Sequence, residues 1–235
     1  MMQSPVQCFF IEFVKTVQPF PYTAIISKER SIFYDWSVFQ QLCAQCRGNL
    51  QNLIGINKAV ILSDYGKGVL SHQNIQKIVS LCNKSKVPVT VDPKVENFKK
   101  YRNVTCLTPN TKEALQGMGI HHKGNRDQSA INELGKKILK KLNCKSVLIT
   151  QGPEGMSLFE KTSPVRITHT ETVAKEVYDV TGAGDTVIAV FSLALACKAS
   201  LKQASILANI AAGTVVGKLG TAVITKQELL EGLEG

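Results

Sequence analysis

Apolar and polar positions alternate regularly from about residue 58 onward. Lys58–Ser63 (KAVILS) is a short apolar run that ends in the turn Asp64-Tyr-Gly-Lys-Gly68, which predicts a buried strand and its loop. Ser71–Lys84 places Ile75, Ile78, Val79 and Cys82 at helical spacing. Val87–Val91 and Val104–Leu107 read as further strands, ending at Asp92-Pro93 and Thr108-Pro109-Asn110. Thr111–Gly117 and Ser129–Leu142 read as helices, and Ser146–Thr150 as a fourth strand followed by the turn Gln151-Gly-Pro-Glu-Gly155. Met156–Glu160 and Val165–Thr170 suggest a hairpin, and Thr186–Ala196 and Leu201–Val216 long apolar helices. Short apolar strands alternating with helices imply an α/β fold with a mostly parallel sheet covered on both faces. Ligands of such sheets bind at the carboxyl ends of the strands, where Asp64, Asp92, Asn110 and Thr150 fall. Residues 1–57 hold most of the aromatics, including the single Trp36, and show no clean βαβ rhythm. Ala24–Ser27 as a strand and Val38–Cys46 as a helix are the expectations there. The chain therefore divides into a divergent segment, 1–57, and a main body, 58–235, without internal repeats.

Composition narrows the class. With 44% hydrophobic and 20% charged residues among 235, the chain has the make-up of a soluble globular protein. Its longest apolar run, Val187 to Cys197, is too short to span a bilayer. The start of the chain is apolar but carries Glu12 and lacks a basic leader, which argues against a signal peptide. Seven cysteines form no disulfide-like framework, and Cys43-x-x-Cys46 lacks a second pair or a nearby His. A reducing cytoplasm is the compartment these thiols suggest. His72, His121, His122 and His169 show no ligand spacing. The net charge of +10 fits either a lysine-rich solvated surface or an anionic ligand such as a nucleotide or sugar phosphate. Nucleic acid is disfavoured because the basic residues are scattered. The densest group, Lys136, Lys137, Lys140 and Lys141, shares a helix with Leu134, Ile138, Leu139 and Leu142 and forms its wet side.

The string Asp179-Val-Thr-Gly-Ala-Gly-Asp-Thr186 carries the strongest chemical signal, because an apolar helix follows it directly. Small residues at Gly182, Ala183 and Gly184 let backbone N–H groups converge at a helix start, where unpaired donors and the positive dipole end attract anions. Asp185 is either an ordinary helix-start residue or a carboxylate beside an anion hole. The second arrangement suits hydroxyl-to-phosphoryl transfer: the carboxylate takes the hydroxyl proton while the amides stabilise charge on the moving group.

This string resembles the C-terminal signature of the ribokinase-like (PfkB) carbohydrate kinases. Ser63-Asp-Tyr-Gly-Lys-Gly68, Val91-Asp-Pro-Lys94, Leu107-Thr-Pro-Asn-Thr-Lys-Glu113, Glu176-Val-Tyr-Asp-Val-Thr181 and Val216-Gly-Lys-Leu-Gly-Thr221 are similar to the kinase domain of bifunctional ADP-heptose synthases. The likeness covers about residues 58–230 and extends faintly into 23–40. It implies a ribokinase-like three-layer α/β sandwich and ATP-dependent phosphorylation of D-glycero-β-D-manno-heptose 7-phosphate at O1, on the route to the lipopolysaccharide core. It implies Asp185 as catalytic base and Gly182, Ala183 and Gly184 as the anion hole. Asn110 and Glu113 match the family's Asn-x-x-Glu element, so Asn110, Thr111, Lys112 and Glu113 would line the ATP site, with Glu113 reaching Mg²⁺ through water. Glu113 is equally a first-turn acid complementing a helix dipole. Thr150, Gly152 and Gly155 would form the nucleotide-side turn, or else a plain hairpin turn. Asn209, Ala212 and Gly213 would make room for adenine, or else allow close helix packing. Asp64, Lys67 and Lys94 are substrate candidates, although Lys94 is equally a surface lysine. Asp179 and Thr181 are candidates for a monovalent-cation loop, with K⁺ as the ion. The implied partner is a small sugar phosphate, with neither nucleic acid nor membrane, and a homodimer is a candidate assembly.

The chain departs from the family pattern before residue 58. It has no Gly-Gly pair and no Gly-Gly-Ala-x-Asn type sugar-binding stretch, and the adenylyltransferase half is expected to be missing as well. The expectation is that the N-terminal strands and lid are largely missing, leaving the nucleotide half of a site. Competing readings are a non-catalytic nucleotide-binding remnant and a different small-molecule kinase of the same family.

Overall fold

The computed structural model describes residues 8–11, 54–55, 57–66, 70–120, 127–174, 176–220 and 222–234. The expectations for Ala24–Ser27, Val38–Cys46, Lys67 and the His121–His122 loop lie outside these residues. A seven-stranded sheet runs through the molecule in chain order: β1 (Cys8–Ile11), β2 (Ala59–Ser63), β3 (Val89–Asp92), β4 (Cys106–Leu107), β5 (Ser146–Thr150), β6 (Met156–Glu160) and β7 (Arg166–Thr170). The first five are parallel, and β6 and β7 complete the sheet as an antiparallel meander.

This order fixes where the helices go. Right-handed crossovers between strands added successively in one direction place every connecting helix on the same face. That face carries α1 (His72–Lys84), α2 (Thr111–Gly117) and α3 (Gln128–Leu142). Ile75, Ile78, Val79 and Cys82 of α1 and Ile131, Leu134, Ile138, Leu139 and Leu142 of α3 join Val60, Leu62, Val91, Val147 and Ile149 in one core. The opposite face would stay bare without the two apolar helices near the C-terminus, α4 (Ala183–Ala196) and α5 (Leu201–Val216). Val187, Phe191, Ala204 and Ala208 cover Cys106, Leu148, Met156 and Leu158 there. The alternation of Val147, Leu148 and Ile149 between the two cores is the period-2 signature of a strand buried on both sides. The result is the three-layer α/β sandwich expected from the sequence.

Three details differ from the sequence reading. The helix α4 starts at Ala183 rather than Thr186, so Asp185 lies inside its first turn. A final helix, α6 (Lys226–Glu234), packs on α5, with Gly232 against Ile210. The strand β1 comes from the segment that showed no βαβ rhythm and pairs with β2 in parallel. One buried polar contact pins α4 across the sheet: the Thr90 and Ser192 hydroxyls lie 2.6 Å apart, and Ser192 also donates to the Ile188 carbonyl. That contact fixes the C-terminal half of α4 against β3.

Candidate active site

The parallel strands β2 to β5 each bring a polar group to the same end of the sheet. Beyond β2, Asp64 is buried and bonded on both oxygens. Oδ1 accepts the Gly66 N–H at 2.8 Å, and Oδ2 accepts from Asn97 Nδ2 at 2.7 Å and from the Tyr101 hydroxyl. Its position as a substrate candidate is thus occupied by internal partners: it holds the loop that presents Tyr65. At the end of β3, Asp92 lies under Ser63, whose hydroxyl is 3.5 Å from its Oδ2.

Beyond β4, Asn110 caps α2 in a reciprocal box. Asn110 Oδ1 accepts the Glu113 N–H and Glu113 Oε2 accepts the Asn110 N–H, both at 2.9 Å. Glu113 is thus the first-turn capping acid that the spacing suggested. The cap employs one oxygen of each side chain, while both residues still line the cleft. A bridge from Asn110 to Thr150 and a hydrogen bond from the Thr111 hydroxyl to the Thr150 carbonyl bring β5 alongside.

Gly182 is the N-cap of α4, and its φ of +85° is a left-handed conformation that glycine adopts without strain. No side chain caps this end. Ala183 N–H donates to the Val180 carbonyl at 3.2 Å, so it is not a free donor. Among the described residues, the N–H groups of Gly184 and Asp185 have no protein partner, as expected for a first turn. Gly182 sets the turn, and of the expected anion-hole residues 182–184 only Ala183 has its N–H engaged by the protein among the described residues.

These groups form one cleft of about 250 Å³, lined by Tyr65, Asp92, Thr108, Asn110, Glu113, Thr150, Gly182, Gly184 and Asp185. A second cleft of about 280 Å³ adjoins it through Asn110 and Thr150, adding Thr111, Lys112, Ile131, Gln151, Gly152 and Glu154. Three carboxylates face the first cleft, and burial raises the pKa of each. Burial, with the charges of Glu113 and Asp185 adding to it, pushes Asp92 up to about 7 against the opposing Ser63 hydroxyl. Burial raises Glu113, opposed by its bond to the Asn110 backbone and by the Lys94 charge. Burial also raises Asp185, opposed by the Tyr65 hydroxyl. Such a cluster favours a cation. No three acids among the described residues are close enough to cage one directly. The donor set fits Mg²⁺ held through its own waters and a ligand's phosphates, the mode this ion favours.

Several expected residues lie elsewhere. Gly155 sits in the turn before β6, where a Cβ would fall 2.1 Å from the Thr170 carbonyl oxygen; its role is close approach of the chain. Asn209 donates to the Glu171 carbonyl at 2.7 Å, and a Cβ on Gly213 would meet Val173 Cγ2 at 2.6 Å. The small face of α5 is therefore filled by residues 171–174 rather than open. Asp179 accepts the Thr181 N–H at 2.8 Å, and neither residue lines either cleft. Lys94 is exposed, its stem beside Gly66 and its charge acting on Glu113. Tyr65 and Thr108 are site residues that the sequence reading did not select, and Asp92 was noted only as a strand-end carboxylate. Their position after a buried strand was the available signal.

Comparison with known proteins agrees with this architecture. The pfkB family carbohydrate kinase model matches residues 4–228. The chain is 46% identical over 178 residues to the bifunctional protein HldE of Proteus mirabilis, covering 75% of this chain and 36% of the relative. It is 40% identical over 211 residues to that of Aliarcobacter butzleri, covering 88% and 43%. The chain thus spans less than half the length of these relatives. Arabidopsis thaliana ribokinase, solved with ribose and ATP, superposes with a TM-score of 0.65 at 22% identity, covering 79% of this chain and 58% of that one. Escherichia coli phosphofructokinase-2, solved with potassium, gives 0.67 at 16%, covering 84% and 61%. The fold is ribokinase-like.

Proposed function

The chain belongs to the pfkB family of carbohydrate kinases, and on that footing we propose that it transfers the γ-phosphoryl group of ATP to a sugar phosphate hydroxyl. The observation that carries this reading is Asp185, a half-buried carboxylate one residue past an unpaired helix N–H, in a cleft continuous with the capped Asn110–Glu113 pair. D-glycero-β-D-manno-heptose 7-phosphate, phosphorylated at O1, is the proposed acceptor, because the relatives at 40–46% identity are HldE proteins.

In the proposed reaction the sugar O1–H lies against the Asp185 carboxylate, which accepts its proton as O1 bonds to the γ-phosphorus. The bond from that phosphorus to the β,γ-bridging oxygen breaks, and ADP departs with the electron pair. The N–H groups of Gly184 and Asp185 and the dipole of α4 stabilise negative charge on the moving group. Thr111, Lys112 and Gly152 line the adjoining cleft for the rest of the nucleotide. Glu113 and Asn110 would hold Mg²⁺ through water, and the ion would supply positive charge to neutralise the triphosphate. We assign K⁺ to the Asp179–Thr181 turn and the working compartment to the cytoplasm. No described helix is long and apolar enough to cross a membrane.

Incubation with Mg·ATP and a panel of heptose 7-phosphate, fructose 6-phosphate and ribose tests the assignment by ³¹P NMR. Heptose 1,7-bisphosphate accompanied by equimolar ADP is the expected product. Binding of ATP without sugar-dependent ADP release would make the chain a nucleotide-binding protein instead. Preferential turnover of another sugar would reassign the substrate within the family.

A further inference from the structure

The loop after β2 reaches the base on α4 from a residue 120 positions away in sequence. Tyr65 Oη lies 3.4 Å from Asp185 Oδ1, and it makes the only side-chain hydrogen bond to that carboxylate among the described residues. The loop that carries Tyr65 is held firmly. The Asp64 carboxylate bonds the Gly66 N–H ahead of it and the Asn97 amide and Tyr101 hydroxyl behind it. Tyr101 is fully buried and Asp64 nearly so, which makes this clamp part of the core rather than a surface turn. The Tyr65 side chain itself is 41% exposed and lines the cleft, so core packing does not dictate its hydroxyl.

Building on the kinase reading, we propose that Tyr65 is a positioning residue for Asp185: clamped by Asp64, its hydroxyl donates to Oδ1 and leaves Oδ2 to receive the acceptor's proton. A free carboxylate on a first helical turn can rotate about χ2 and present either oxygen. One fixed donor removes that freedom, as the third member of a base–orienter pair does in general. The donor also favours the ionised carboxylate, the form able to take a proton. This matters because burial opposes ionisation of Asp185. Asp92 from β3 and Glu113 from α2 face the same cleft, Asp64 lies beneath the loop, and Lys94 is the cation on the Glu113 side. Tyr65 keeps its own proton, since burial and the Asp185 charge both raise its pKa.

The test is Tyr65→Phe in the 235-residue chain, which removes one oxygen from a half-exposed ring. Side-chain carboxyl ¹³C NMR against pH follows Asp185 directly, with its resonance assigned by its loss in Asp185→Asn. The Asp185 midpoint is expected to rise by about half a pH unit, roughly a threefold change in proton affinity. Under turnover, kcat is expected to fall about tenfold with sugar KM within twofold, and the acid limb of the kcat–pH profile to move upward with the midpoint. An unmoved midpoint would overturn the assignment. So would a loss confined to sugar KM, which would make Tyr65 a substrate contact. If no sugar supports turnover, the kinase reading fails by itself, and the NMR titration still decides the role of Tyr65.

Discussion

Asp92 and Asp185 line the same cleft, but their environments give them different work. Asp92 is the more strongly perturbed, with its pKa pushed up to about 7, first by burial and then by three neighbouring acids. An unfolded aspartate titrates near 4. Below about pH 4 the proton is bound in both states and the group contributes nothing. Between about 4 and 7 the folded state retains a proton that the unfolded state releases, so stability falls as pH rises through this window. Above 7 the full cost of an ionised, crowded carboxylate is present. Asp92→Asn should therefore raise Tm by a few degrees at pH 8, on the order of 1 kcal/mol or more, and leave it nearly unchanged at pH 4. Thermal denaturation at the two pH values without nucleotide checks this, and an equal gain at both would show that charge is not the cause. At this scale the sequence pointed to Asp185, Asn110 and Glu113 through compact strings, and the fold brings all three to one cleft. It did not show Tyr65 opposite Asp185, because that pairing joins loops far apart in sequence. Nor did it show that Gly213 and Asn209 pack against 171–174, which depends on the path of a segment without regular structure.

Elements were legible where burial dictates periodicity. The strands β2 and β5 and the helices α1, α3 and α5 follow their apolar patterns, since both faces of the sheet are covered. The strand β1 was missed because a four-residue apolar run by itself carries no βαβ rhythm, and α6 because only weak amphipathicity marks a peripheral helix. Two substitutions test how the elements are held. Gly135 lies on α3 where a Cβ would come within 2.5 Å of the fully buried Phe159 ring. Alanine normally favours a helix interior over glycine, by up to about 1 kcal/mol. Here Gly135→Ala should instead destabilise by about 1–3 kcal/mol, because the ring has no room to yield. Chemical denaturation measures this, and a stabilised variant would refute the packing. Asn110→Ala removes the side-chain half of the α2 capping box and should cost about 1 kcal/mol. The same change should raise the KM for ATP, because the cap and the cleft share that side chain. A stability loss with ATP affinity unchanged would separate the two roles.

At the scale of the molecule, a single device brings the chemistry together. Five parallel strands end at one edge, and the C-terminal pair of helices closes the open face with the start of α4 over that edge. The sequence predicted this layering from the strand–helix alternation alone. The net charge of +10 is a whole-molecule property that should draw an anionic nucleotide toward a cleft whose own walls are acidic. Raising salt from about 50 to 300 mM should therefore weaken ATP binding severalfold through screening, as calorimetry can show, whereas salt-independent affinity would confine recognition to short-range contacts. The central claim is that the carboxylate on the first turn of α4 accepts the proton of the attacking hydroxyl. Asp185→Asn keeps the shape and removes the proton acceptor, so turnover and ATP affinity measured side by side on this variant test the claim most directly. The expected result is kcat lowered by about a thousandfold or more with the ATP Kd within about threefold of the parent. Sugar-dependent ADP release within tenfold of the parent rate would contradict it.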